Sequence, residues 1–157
     1  MSIHSDFDIP RELRNFDPAE VRQQYAALCY RIVNGKVQIL LITSRGTQRW
    51  IVPKGWPMPG KEPHEAALQE AKEEAGVIGR VTSTPLGTYG YRKVLEDGLE
   101  IPCVGVLFPV RVRLMRAEYP EAGQRRRKWF SRKKAAKKVD EPELAELIRT
   151  FDPRQWH

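Results

Sequence analysis

Residues 55–77 read GWPMPGKEPHEAALQEAKEEAGV, a loop rich in glycine and proline that is followed by a helical pattern. Pro63 suits the first turn of that helix, because the N–H that proline lacks would have no helical partner there. Gly76 suits its end, because glycine readily adopts the left-handed conformation found after a helix C-terminus. The sequence therefore predicts a helix between these two residues.

Three carboxylates lie on one face of this predicted helix. Glu70, Glu73 and Glu74 fall within roughly 100° of arc on a helical wheel, and Ala71 falls on the opposite face. Like charges at these spacings repel one another, so we expect a positive partner to offset the repulsion. Clustered oxygen ligands suit magnesium, manganese or calcium. A solvated acidic face is the alternative interpretation, and the helix alone does not decide between the two.

The whole stretch resembles the Nudix box, and the matching positions are Gly55, Glu70, Glu73, Glu74, Gly76 and Val77. The preceding residues 50–54 are also similar to the family. Two positions depart from the pattern, since Lys61 stands where the box has its first glutamate and Gln69 where it has arginine. In the family that arginine helps to orient a neighbouring carboxylate. Gln69 can still donate a neutral hydrogen bond, which is weaker than a charge-assisted one.

The surroundings of the box are most similar to the diphosphoinositol polyphosphate phosphohydrolase branch, which also takes diadenosine polyphosphates. The similarity runs over about residues 22–150 and is carried by residues 49–53, 73–77 and 128–130. One departure is Trp56, which directly follows Gly55 where that branch has a run of glycines. Its indole suits either stacking on a base, which would favour dinucleotides, or bracing the loop.

The resemblance implies a hydrolase that cleaves a diphosphate by attack of metal-activated water on phosphorus. Magnesium suits that task because it bridges phosphates while a few carboxylates hold it; manganese is the alternative. The implied ligands are the carbonyl of Gly55 and the carboxylates of Glu70, Glu73 and Glu74. Glu73 is implied as the catalytic base or as a further ligand, and family members differ on which glutamate deprotonates the water.

A substrate with many phosphates calls for a basic rim around such a site. Arginine offers two parallel hydrogen bonds to phosphate, and lysine offers a point charge. The candidate substrate-binding residues are Arg45, Arg49, Lys54, Arg92, Arg127 and Lys128. For each of them, a surface position without a ligand is the alternative.

The overall charge agrees with an anionic partner. The net charge is +7, and the excess is concentrated in residues 125–128 and 132–138. A basic balance favours a phosphate-rich small molecule or nucleic acid, and of these we expect the polyphosphorylated small molecule. A solvated basic helix face is the alternative for residues 132–138.

Composition indicates a soluble protein of a reducing compartment. The chain has 157 residues, 41% of them hydrophobic and 30% charged, which favours one domain with a sizeable core. There is no run of 18 apolar residues, and the N-terminal residues have no apolar signal-peptide core. Cys29 and Cys103 lie in apolar, strand-like runs and are expected to be buried thiols. We therefore expect a cytoplasmic protein without a membrane span.

The order of strands, helix, strands and helix predicts a mixed β-sheet sandwiched between helices, an α/β fold. The Nudix resemblance implies the same α/β/α arrangement. Residues 1–20 are expected to form a loosely held arm, and residues 21–157 a single domain. Asn34 and Gly35 predict a type I′ hairpin turn. Pro102 and Pro109 predict that the strand holding them is bulged or lies at a sheet edge.

Two alternatives to this substrate and activity are open at this point. One is a Nudix hydrolase of nucleoside triphosphates, nucleotide sugars or capped RNA. The other is a non-catalytic Nudix-fold module that binds nucleotide or RNA through its basic surface. The three retained glutamates argue against the module, because without a metal their mutual repulsion only weakens the helix.

Overall fold

A computed structural model describes Pro10 and residues 13–155 of the chain. Within these residues there are eight strands and three α-helices. The strands are β1 (Arg22–Val33), β2 (Lys36–Thr43), β3 (Trp50–Ile51), β4 (Lys54–Gly55), β5 (Val77–Val81), β6 (Gly87–Val94), β7 (Glu100–Met115) and β8 (Arg127–Ser131). The α-helices are α1 (Pro63–Ala75), α2 (Arg132–Lys138) and α3 (Pro142–Thr150).

The strands form one mixed sheet. Its main path runs β3-β2-β1-β7-β5, while β4 pairs with β1, β6 with β7 and β8 with β2. β1 and β7 run parallel, and the other pairs are antiparallel. Side chains of α1 pack on one face of this sheet, and those of α2 and α3 pack on the other. The predicted mixed sheet between helices is therefore confirmed.

The β1–β2 hairpin forms where the sequence predicts it. Both turn residues have positive φ, 52° at Asn34 and 76° at Gly35. A type I′ turn requires positive φ at both central positions, and its twist matches that of the flanking strands. This turn sets the register that pairs Val33 with Lys36.

β7 is the central strand, so of the two predicted alternatives the edge position is wrong. The strand is bulged, because its pairing with β5 passes from Leu114 to Val112 and skips Arg113, although the bulge does not lie at either proline. The carbonyl of Pro109 accepts the N–H of Thr82 at 3.1 Å. Along β7, the residues paired with β6 end at Leu107, and the residues paired with β5 start at Val110. The missing N–H of the proline therefore faces the gap between two neighbouring strands, where no ladder bond is lost.

The helix α1 begins and ends as predicted. The N–H of Glu62 donates to Oε1 of Glu65 at 2.8 Å, and the side chain of Glu62 completes the capping box. After Ala75 the chain leaves the helix at Gly76, which has φ 68° and donates its N–H to Lys72 O at 3.1 Å. The face turned to the sheet is made of small buried side chains, Ala66, Ala67, Ala71 and Ala75.

We expect Gly76→Ala to destabilise the fold by about 3 kcal/mol or more, because a left-handed residue with a side chain is strained and this one also clashes. A Cβ at Gly76 would lie 2.6 Å from the ring of Tyr119 and 2.9 Å from the backbone oxygen of Arg116. Gly60 is the matched control, with φ 78° and open space around its Cβ position. Gly60→Ala should cost only the conformational strain of about 1–2 kcal/mol. Equal losses in urea unfolding would contradict the steric explanation.

The described part of the N-terminal arm is packed rather than loose. Leu13 is fully buried, and it forms a small apolar cluster with Val21 and Val104, against which Phe16 packs. A 3-10 helix at Pro18–Glu20 follows this cluster's first residues along the chain. The rest of the arm, residues 1–9 and 11–12, lies outside the described residues. The apolar side chains at positions 13, 16 and 21 explain the docking, because they cover Val104 of β7.

Three further features complete the description of the fold. Cys29 and Cys103 are free and buried, as predicted. In the part of the chain that the structure describes, no helix has the length and apolar character needed to cross a bilayer. Ser131 caps the basic helix α2 by accepting the N–H of Lys134 at 3.2 Å.

Candidate active site

The loop glycine and the first helix carboxylate meet directly. β4 places Gly55 opposite Tyr25 of β1, on the face of the sheet that α1 covers. A Cβ added to Gly55 would lie 1.7 Å from Oε2 of Glu70. The carboxylate of Glu70 therefore rests in space that only glycine leaves open.

Glu74 forms the buried part of the site. It is only 7% exposed, so it does not point into solvent as an amphipathic wheel would place it. Its Oε1 accepts the N–H of Lys54 at 3.4 Å, and its Oε2 lies 4.0 Å from Nη2 of Arg125. Besides burial, the negative charge of Glu74 raises the pKa of Glu70, the carboxyl group one helical turn earlier. The two carboxyl groups thus lie close together beside the loop glycine.

Electrostatics at this pair favour a cation. Burial, followed by the charges of Glu74 and Glu73, raises the pKa of Glu70 to about 8. Burial also raises the pKa of Glu74, although Arg125 and Lys54 act in the opposite direction. Both shifts show that ionisation of these carboxyl groups is costly, chiefly because they are buried and secondarily because other carboxylates are near. A bound divalent cation would offset that cost.

Glu73 is held by the residue that replaces the arginine of the box. Nε2 of Gln69 donates to Oε2 of Glu73 at 2.5 Å. The predicted neutral hydrogen bond is therefore confirmed. Among the described residues, no three carboxylate, histidine or cysteine side chains are already gathered into a cation cage. The oxygen donors of Glu70 and Glu74 fit a hard divalent ion, and Glu73 lies on the same helical turn as a third.

The loop between β7 and β8 adds two residues that the sequence analysis missed. The negative charge of Glu121 contributes to the raised pKa of both Glu70 and Glu74. Arg125 donates to Oε1 of Glu121 at 2.9 Å and to the carbonyl of Thr43 at 3.1 Å. Residues 125–128 stood out as a basic run, but nothing in their spacing indicated that one of them reaches the acidic helix.

Two of the predicted substrate-binding residues lie on the α3 side of the sheet. Lys54 is half-buried with Nζ 5.2 Å from the ring centre of Tyr91, and burial lowers its pKa to about 8. Arg49 is exposed, and its Nη1 lies 3.5 Å from Asp140 and 3.7 Å from Glu141. The negative charge of Glu74 acts on the ammonium group of Lys54, so this side chain remains close to the carboxylate site, whereas Arg49 pairs with the acidic residues that precede α3.

The other four predicted basic residues occupy separate positions. Arg127 donates to the carbonyl of Ala75 at 2.8 Å, at the end of α1. Lys128, the next residue of β8, is exposed on the other face, with Nζ 5.4 Å from the Phe130 ring. The remaining contacts are Arg45 to Gln124 at 3.2 Å, Arg92 to Glu100 at 3.5 Å and Arg92 over the Phe16 ring at 5.0 Å. A role in substrate binding stays a prediction for each.

The fold and the acidic site define an α/β/α sandwich whose central helix presents carboxylates to a glycine loop. The NUDIX domain model matches residues 22–151. The chain therefore belongs to the Nudix family.

Similarity to individual relatives is partial. Diphosphoinositol polyphosphate phosphohydrolase 3-alpha of Mus musculus is 40% identical over 72 residues, which make up 46% of this chain and 44% of that protein. The chain thus spans less than half the length of that curated relative. Nudix hydrolase 4 of Arabidopsis thaliana is 29% identical over 153 residues, 90% of this chain and 70% of that protein.

Solved structures share the fold. A C. elegans Ap4A hydrolase binary complex has a TM-score of 0.61 at 23% identity and covers 82% of this chain and 93% of its own. The NUDIX domain of Shewanella oneidensis NrtR, complexed with ADP ribose, has a TM-score of 0.60 at 17% identity, over 87% of this chain and 94% of its own. At these identities the likeness supports the architecture alone.

Proposed function

We propose that the chain is a magnesium-dependent pyrophosphohydrolase that cleaves a phosphoanhydride bond in a polyphosphorylated substrate. The observation that carries this proposal is the approach of Glu70 to the bare backbone of Gly55, one helical turn from the buried Glu74. The two carboxyl groups are partly desolvated and lie close together. Such a pair has an energetic reason to bind a divalent ion, with manganese as a possible substitute for magnesium.

The roles we propose are those that the resemblance to the Nudix box implies, and the positions of the side chains support them. Glu70, Glu74 and the carbonyl of Gly55 hold the metal, and Glu73 acts as the base or as a further ligand. Bound magnesium supplies charge neutralisation of the phosphates and a more acidic water. Gln69 keeps Glu73 in one orientation through its hydrogen bond, which is what a proton acceptor needs in order to meet a reacting water.

The substrate class we infer is a diphosphoinositol polyphosphate or a diadenosine polyphosphate. The similarity to the mouse phosphohydrolase supports the first. The indole of Trp56, which is 41% exposed and directly follows Gly55, supports the diadenosine polyphosphate because it offers a stacking surface for a base. The proposed phosphate contacts are Arg45, Arg49, Lys54, Arg92, Arg127 and Lys128.

A substrate panel with product identification tests this function. We expect magnesium-dependent phosphate or nucleotide release from diphosphoinositol polyphosphates or diadenosine tetraphosphate, and at least tenfold less from nucleoside triphosphates, nucleotide sugars and capped RNA (a factor of ten is about 1.4 kcal/mol of discrimination). Omission of the metal should abolish release. Turnover of only the nucleoside triphosphates, nucleotide sugars or capped RNA would contradict the proposed substrate class. Salt-sensitive RNA binding without any turnover would instead support a non-catalytic binding module.

A further inference from the structure

Arg125 is a nearly buried cation among the carboxylates of the site. Its side chain is 9% exposed. The guanidinium bridges Oε1 of Glu121 at 2.9 Å and Oε2 of Glu74 at 4.0 Å, and it is tied to β2 through the carbonyl of Thr43 at 3.1 Å. Two nitrogens of the guanidinium therefore donate hydrogen bonds, to Glu121 and to Thr43, and the third forms a longer ion pair with Glu74.

The helix α1 does not provide this charge itself. Gln69, where the Nudix box has arginine, gives Glu73 a neutral hydrogen bond only. Lys72 is exposed and falls on the opposite side of the helical wheel from Glu70 and Glu74. The cation that forms an ion pair with Glu74 comes instead from the loop that follows β7, and Lys54 of β4 adds a second, weaker positive influence on the same carboxylate.

We infer that Arg125 is a positioning residue that acts as an internal counter-ion of the carboxylate site. It holds Glu74 and Glu121 together while no divalent ion is bound, and it shares Glu74 with the ion once one binds. The inference rests on the proposed metal site. Its physical basis is that a buried carboxylate without a partner is strongly destabilising, whereas a paired one is tolerated.

The counter-ion role makes the importance of Arg125 depend on the metal. Arg125→Gln should lower the Tm of the metal-free protein by about 5–10 °C, because a nearly buried ion pair loses one partner. Saturating Mn²⁺ should remove more than half of that deficit, since the ion then neutralises the same carboxylates. The dissociation constant for Mn²⁺, measured by titration calorimetry, should tighten by about fivefold because a competing charge within about 4 Å is gone.

Arg126→Gln is the matched control. Arg126 is the next residue, is exposed and has its guanidinium 5.1 Å from the Trp50 ring centre. Its replacement should leave both the metal-free Tm and the Mn²⁺ affinity unchanged. If Arg125→Gln lowers the Tm equally with and without Mn²⁺, or weakens Mn²⁺ binding, then Arg125 only fastens the loop to Thr43 and the inference is wrong.

A double variant keeps the test decisive if Arg125→Gln does not fold. Adding Glu74→Gln removes the carboxylate left without a partner, so the double variant should fold and melt closer to the parent protein than Arg125→Gln does. A loop-fastening role predicts no such rescue. None of these measurements uses turnover. The counter-ion role of Arg125 can therefore be supported in a protein that hydrolyses nothing, and it can be contradicted in an active enzyme.

Discussion

Glu74→Gln is expected to lower turnover of the preferred substrate by at least about two orders of magnitude, the size typical of losing one catalytic group. The amide keeps the shape of the side chain and its hydrogen bond from Lys54 N–H, but it removes the charge that would bind the metal. The same loss is expected for Glu73→Gln, whose amide can no longer accept a proton. Steady-state rates with saturating Mg²⁺ measure both effects.

Stability separates a catalytic loss from a folding defect in these variants. The Tm of metal-free Glu74→Gln should not fall, because Arg125 keeps Glu121 as a partner at 2.9 Å while the cost of burying the Glu74 charge is removed. Glu96→Gln is the control, since Glu96 is exposed in the turn between β6 and β7, and it should keep the parent rate. Parent-like rates from both Glu73→Gln and Glu74→Gln would remove these glutamates from the mechanism.

Features that depend on a few neighbouring residues were predictable from the sequence. Pro63 and Gly76 bound α1 because each suits a helix end for a reason that local backbone geometry supplies. The turn at Asn34 and Gly35 formed for the same kind of reason. The family resemblance added the meeting of Gly55 with Glu70, which spacing along the chain alone would not have indicated.

Features that depend on tertiary partners were not predictable. Prolines in β7 indicated an edge strand, but its central place depends on where β6 ends and β5 begins. The helical wheel put Glu74 on an outward face, and only the approach of β4 and of Arg125 shows that this face is covered. A run of basic residues in the sequence shows where positive charge is concentrated, but it does not show which partner each side chain contacts. Arg125 turns to Glu74, while Arg127 of the same run turns to the end of α1.

Gly55→Ala is expected to reduce kcat/KM by about two orders of magnitude, comparable to misplacing a catalytic group, with little change in stability. The added Cβ would meet Oε2, Cδ and Cγ of Glu70 at 1.7, 2.2 and 2.9 Å. These atoms are the outer part of a flexible side chain, so the carboxylate swings away and the pairing of β4 with β1 can persist. The Mg²⁺ concentration for half-maximal activity should rise, because a ligand has been displaced.

Gly60→Ala, in the same loop, should give the reverse result. Its positive φ makes alanine costly, but its Cβ would touch nothing within 4 Å. It should therefore lose about 1–2 kcal/mol of stability and keep its activity below the melting range. Measuring kcat/KM and urea unfolding for both variants separates the two effects. If Gly55→Ala keeps parent activity and the parent Mg²⁺ requirement, Glu70 is not held against Gly55 for metal binding, because the displaced carboxylate would then be dispensable.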